Sequence, residues 1–206
     1  MLLIFVVLFI GPVLIACSGA IKFGQDWRTA DRSTTGIGPN PASVTEAVVQ
    51  VYSARAFNWR GVFAVHTWVA TKPADAAGFT IHHVVGWRAR QNLPVVVSEY
   101  DLPDRSWYGN QPKILVDVRG ETAQALIPKI LQAVNSYPYE DDYTLWPGPN
   151  SNTFTAYVAR QVPELKLDLP PTAIGKDFLV NGGLFGTAPS GSGYQISLAG
   201  FEVTPR

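Results

Sequence analysis

The chain has 206 residues, with 16 Lys and Arg against 16 Asp and Glu and a formal net charge of zero. That balance speaks against a broad nucleic-acid footprint, and the lack of any Lys/Arg run speaks against a polybasic membrane patch. With 47% hydrophobic and 12% aromatic residues, general disorder is excluded, and the length suits one domain that buries a core without disulfide staples.

In chain order, the first segment stands apart. Met1 to Cys17 carries no charge, and 15 of its 17 residues are hydrophobic; the first Lys is Lys22. The run has the length of a signal-peptide h-region but lacks the charged n-region. Leu14-Ile15-Ala16-Cys17 resembles a bacterial lipobox, which implies lipidation of Cys17. Two other readings stay open: an uncleaved anchor, since Leu2 to Ile21 supplies twenty uncharged residues, and plain secretion. All three put residues 1–21 at a membrane or in a leader, and the domain outside the cytoplasm in the bacterial cell envelope. Cys17 is the only cysteine, so no intramolecular disulfide forms. Residues 22–46 are rich in Gly, Pro, Ser and Thr and read as a linker, leaving 47–206 as a single domain.

Ala47 to Tyr52 is β-rich. Val62 to Ala70 is too continuously apolar for a half-solvated strand and reads as a central one. Phe79 to Trp87, Val95 to Tyr100 and Lys113 to Val118 are further strand candidates. From Glu121, Leu126, Ile127, Ile130, Leu131 and Val134 fall on one helical face, with Pro128 expected to kink the helix or mark its true start. A second helix is expected after Trp146-Pro147-Gly148-Pro149, capped by Asn150 or Ser151, with Phe154, Val158 and Val162 four apart and Pro163 as its stop. A last strand is expected from Gln195 to Val203. The pattern predicts an α+β fold, a mostly antiparallel sheet with a few helices.

Three histidines offer chemistry. His66 lies in the most apolar strand, where a buried imidazole needs partners for both nitrogens; it marks either a site or a structural bond to a neighbouring carbonyl. His82 and His83 are adjacent in a strand and point to opposite faces, and the flanking residues favour His83 for a site. A zinc site from His66, one of His82/His83 and a carboxylate has no ligand spacing to support it; no metal and no cofactor is expected. Ser151 sits at a helix start, where free N–H groups favour developing negative charge, although Asn and Ser there are also ordinary capping residues. Trp68, Tyr143 and Trp146 could form an aromatic platform, or simply core.

Asn150-Ser151-Asn152-Thr153-Phe154 resembles the Asn-Cys-Asn-Thr/His-Phe signature of the circularly permuted papain-like PPPDE peptidases, in which a strand-borne His precedes the nucleophile. That resemblance implies permuted papain-like character, His66 as base and Ser151 in the nucleophile slot, with serine where those peptidases hold cysteine. Serine is a far weaker acid than a cysteine thiol and needs a well-oriented base; His83 would orient that base. The stretch from about Ala47 to Gly193 resembles an uncharacterised bacterial domain-of-unknown-function family more closely. Its marks are the His66-Thr67-Trp68 strand, the Trp146 to Phe154 turn and Pro170 to Asp177. The expected function is an envelope-tethered binding module without turnover. It would hold a peptide or cell-wall ligand between the His66 strand and the Ser151 helix, with Trp68, Tyr143, Trp146, Asn150 and Asn152 as contacts. The alternative is a serine-dependent hydrolase or amidase using Ser151 and His66. The expected partners are that ligand and a membrane, reached through the anchor or a lipid, and no nucleic acid.

Overall fold

The computed structural model describes residues 2–197. A leading helix, α1 (Leu2–Cys17), precedes a sheet of five strands: β1 (Val48–Arg55), β2 (Val65–Lys72), β3 (Phe79–Val84), β4 (Val96–Asp101) and β5 (Lys113–Arg119). Two helices follow, α2 (Gly120–Asn135) and α3 (Ser151–Gln161), and then a small hairpin of β6 (Phe185–Thr187) and β7 (Tyr194–Ile196). The sheet order is β4-β3-β2-β1-β5, every pair antiparallel, so β2 is the middle strand as its apolar run predicts. The fold is α+β.

Strand alternation divides the sheet into two faces. Val49, Val51, Val69 and Val84 point to one side and meet Leu126, Ile127, Ile130 and Val134 of α2, and Phe154 and Val158 of α3. Here the 3.6-residue spacing read from the sequence buries one stripe of each helix, except that Leu131, expected on the same face, is 40% exposed. Pro128 neither ends nor starts α2: it lies inside the helix on its exposed side. The other side of the sheet presents Tyr52, Ala54, Trp68, Ala70 and Ile81, a smaller cluster.

That second face is covered by irregular chain, which changes the reading of residues 22–46. Asp104, in the β4–β5 loop, binds this segment closely: its carboxylate accepts from the Thr34 hydroxyl at 2.8 Å and from the Ile37 and Gly38 backbone N–H groups at 2.9 and 3.1 Å. Thr35 donates to the Asp104 carbonyl at 2.9 Å. Rather than a free linker, the segment is a strap laid against the sheet, its polar residues paired with a loop about seventy positions away.

Two other expectations shift. Trp87 leaves the strand, because Gly86–Gln91 winds into a 3₁₀ turn. The run expected to span as Leu2 to Ile21 is helical only to Cys17, about 24 Å at 1.5 Å per residue, and no helix among the described residues is long and apolar enough to cross a membrane. The last strand is seen as Tyr194–Ile196; the remainder of Gln195 to Val203, beyond Ser197, lies outside the described residues.

Candidate functional site

The segment expected to hold a nucleophile is a knot of backbone and amide bonds. Asn150 caps α3: its side-chain oxygen accepts from Asn152 and Thr153 N–H at 2.9 and 3.1 Å, and Thr153 returns a bond to the Asn150 N–H, closing a capping box. The amide of Asn150 donates to the Leu145 and Ile174 carbonyls at 3.0 and 3.1 Å. Asn152 donates to Val65 O and Ile174 O at 3.0 and 2.8 Å and accepts from Thr67 Oγ1 at 3.0 Å. Gly175 explains part of the Pro170 to Asp177 stretch: at φ +92 its Cα lies so near the cap that a Cβ would stand 2.3 Å from Asn150 Nδ2. Asn150 and Asn152 are therefore fully engaged inside the protein.

The Ser151 side chain forms no hydrogen bond among the described residues, and its carbonyl accepts from Thr67 at 3.4 Å. Thr67 points to the helix side of β2. His66, its neighbour, therefore points to the other side, where its ring lies against Trp68 and Trp107. The strand thus separates the imidazole of His66 from the Ser151 helix, and the dyad implied by the papain-like resemblance is not assembled. A base must lie within hydrogen-bond reach of the proton it takes, and His66 Nε2 has no hydrogen-bond partner among the described residues.

The structure instead brings His66 and His83 together, ring centroids 5.7 Å apart, because the β2–β3 register puts both on the strap side. His82 lies on the helix side, with both ring nitrogens bonded, to Thr71 Oγ1 at 3.0 Å and Ser98 Oγ at 2.8 Å. Burial lowers its pKa to about 4, with the nearby His83 adding to the effect.

His83 opens onto a cleft of about 290 Å³. Its Nε2 lies 3.1 Å from Glu99 Oε1, and since a carboxylate only accepts, Nε2 carries the proton. Burial holds the His83 pKa below its ordinary value, partly offset by that bond, so the ring is neutral at pH 7. The bond from His83 pulls Glu99 down to about 2 against the opposing effect of burial, with His83 and Arg105 charge adding to the pull. Arg105 donates to Glu99 at 2.9 Å and pairs its other arm with Asp101. Behind this row lies His66, only 7% exposed, its pKa held well below 6.5 by burial and then by the neighbouring His83 and Arg105.

Trp107 forms the wall between His66 and the cleft. Trp107 and Asn110 exchange backbone hydrogen bonds at 2.9 and 3.1 Å, and the two residues between them, Tyr108 and Gly109, have φ of 50° and 81°. A two-residue turn with both central φ values positive has the sense of a tight hairpin. It sets the indole flat on the His66 ring, centroids 3.7 Å apart and planes 8° apart. The strap contributes Trp27 and Arg32, the 3₁₀ turn contributes Trp87 and Arg88, and Tyr108 completes the rim. Arg32 and Arg88 spend one donor each on a carbonyl, of Trp27 and Pro94, and neither has a carboxylate partner among the described residues. Three guanidinium groups thus face a cleft with one lining carboxylate, between faces of Trp and Tyr. Among the described residues no cluster of three or more His, Cys, Asp or Glu could hold a metal ion.

The remaining expected contacts are dispersed. Trp68 is 2% exposed, stacked on Tyr52 and bonded through Nε1 to Pro103 O at 2.8 Å. Tyr143 is half-buried against Gly86, while Trp146 is 74% exposed. The cleft residues Trp27, Arg32, Arg88, Glu99, Arg105, Trp107 and Tyr108 escaped the sequence reading. Arg105-Ser106-Trp107-Tyr108-Gly109-Asn110, a tryptophan beside an arginine and a Gly-Asn turn between two strands, was the one local signal.

A family model described as "Protein of unknown function (DUF3750)" matches residues 46–178, from just before β1 through Phe178. No curated protein and no solved structure matches.

Proposed function

The chain belongs to that family of unknown function, which lends it no activity, and we propose, from its apolar leader and the geometry of the cleft, that it is an envelope-tethered binding module that holds an anionic ligand without turnover. The observation that carries this reading is the cleft itself: two guanidiniums, Arg32 and Arg88, without carboxylate partners among the described residues, beside Trp27, Trp87 and Trp107. Arginine forks match carboxylate and phosphate oxygens, and indole faces pack on sugar rings or flat peptide groups. About 290 Å³ lies just below the ~300–1,000 Å³ of small-molecule sites. The fitting ligand is a short acidic peptide or a carboxylate-bearing cell-wall fragment, seated by one residue or ring. The chain reaches the membrane through α1 or through a lipid on Cys17, and the shortness of α1 favours the lipid over a full crossing.

Titration of soluble muropeptides against the full chain, followed by tryptophan fluorescence, tests the reading. The expected result is saturable binding without cleavage, weakened at least about tenfold by Arg88→Ala or Trp107→Ala, the scale of one lost charge-assisted contact. Ser151→Ala should bind as the parent does. Cleavage of the ligand, or affinity that survives both cleft substitutions, would overturn it.

A further inference from the structure

The apolar leader and the domain meet on one surface. α1 packs against the 3₁₀ turn Asn58–Val62, and Ile21, just beyond α1, is 5% exposed against that turn, its Cδ1 3.0 Å from where a Gly61 Cβ would lie. Phe23 and Trp27, which follow Ile21 in the chain, and Trp59 and Phe63, in and just after the turn it packs on, are each more than two-fifths exposed, as are Ile10 and Leu14 of α1. Single exposed apolar residues are ordinary; a run of large ones continuous with an uncharged helix marks a contact surface.

The charges around it identify the occupant. The Arg28 guanidinium lies 4.8 Å above the Trp27 ring, and that of Arg60 5.2 Å above Trp59. Residues 22–32 and 55–63 together hold Lys22, Arg28, Arg32, Arg55 and Arg60 against Asp26 and Asp31. No Lys/Arg run announces this patch, because folding assembles it from two segments some thirty residues apart. Indole rings paired with cations suit the boundary between acyl chains and anionic headgroups. A second copy would cover the apolar side chains but would bring its own Arg residues against these.

We infer that Phe23, Trp27, Trp59 and Phe63, with Arg28 and Arg60, dock the domain onto the headgroup layer of an anionic bilayer beside its own anchor. Trp27 also lines the cleft, so docking holds the cleft mouth at the membrane surface. This rests on the tethered reading above.

Hydroxyl-radical footprinting of the full chain in vesicles of phosphatidylcholine with phosphatidylglycerol is the test. Tyr100 is the internal control: it is 71% exposed, and its pairing through Thr80 to Thr71 puts it at the opposite end of the sheet from the turn. Oxidation of Trp59 and Phe63 should rise several-fold when phosphatidylglycerol is replaced by phosphatidylcholine, and likewise in Arg28→Glu/Arg60→Glu, with Tyr100 unchanged. Equal oxidation under all three conditions would overturn the proposal while leaving the tether intact, provided the α1 peptide stays protected. An α1 peptide that is itself oxidised would instead refute the tether. Protection that rises with protein concentration at fixed lipid would assign the surface to a second copy and overturn the proposal as well.

Discussion

On one face of the sheet Val49, Val51 and Val69 disappear under two helices; on the other, the same two strands present Gln50, His66 and Lys72 to a cover of irregular chain. The helix face is a close-packed apolar core in which the side chains of Asn150, Asn152, Thr67 and His82 are hydrogen-bonded, although the Tyr137 hydroxyl in the same core has no partner among the described residues. The strap face leaves two buried side-chain nitrogens, His66 Nε2 and Gln50 Nε2, without partners among the described residues. It also buries Lys72, whose ammonium donates to the Glu46 and Pro73 carbonyls. Unpaired buried polar groups cost stability, and sites are where proteins most often tolerate that cost. The difference teaches that the first face holds the fold and the second holds the cleft on which the binding proposal rests.

Breaking the helix face should cost most. Phe154 is fully buried between the helices and the sheet, and Phe154→Ala should lower unfolding free energy by about 3–5 kcal/mol, read as a shifted denaturant midpoint. Asn150→Ala removes the cap and takes the donor from the Leu145 carbonyl, while the Ile174 carbonyl keeps its bond from Asn152. It should cost about 2 kcal/mol or more, the sum of a lost cap and a buried bond.

Acid should act on both faces through the histidines. His66, His82 and His83 all have folded pKa values below 6.5, so the unfolded chain binds protons first as pH falls. Stability is therefore complete above about pH 6.5 and declines below it, by up to about 1.4 kcal/mol per pH unit for each histidine. For His82 the decline continues to about pH 4. Denaturation at several pH values checks the slope, and His82→Gln should flatten it.

On the strap face the expected effect is local. Burial opposes the charge of Asp104, but hydrogen bonds led by that of the Gly38 N–H hold its pKa below the ordinary value. Asp104→Asn should cost about 1–2 kcal/mol and raise hydrogen exchange at Ile37 and Gly38 while leaving α3 protected. Uniform deprotection would mean that the strap belongs to the main folding unit. Smallest of all, Ser151→Ala removes a buried hydroxyl that makes no hydrogen bond among the described residues and should change stability by less than about 1 kcal/mol, and a serine-reactive phosphonate should not label Ser151.

The sequence by itself determined the elements. Apolar continuity marked β2 as central, 3.6-residue spacing marked the buried stripes of α2 and α3, and Asn-Ser-Asn-Thr after a proline turn marked a helix cap; each is a signal written within a few residues. Alternation also determined that His82 and His83 must part. Only the tertiary structure decided which side of β2 each residue served. One step along a strand reverses its face, so Thr67 went to the Ser151 helix and His66 to Trp107. The strap was hidden for a different reason: its Thr and Gly residues have the composition of a linker, and their partner Asp104 is about seventy positions away. The cleft was hidden most completely, since Trp27, Trp87 and Trp107 become one site only when three segments of the chain are brought to one edge of the sheet.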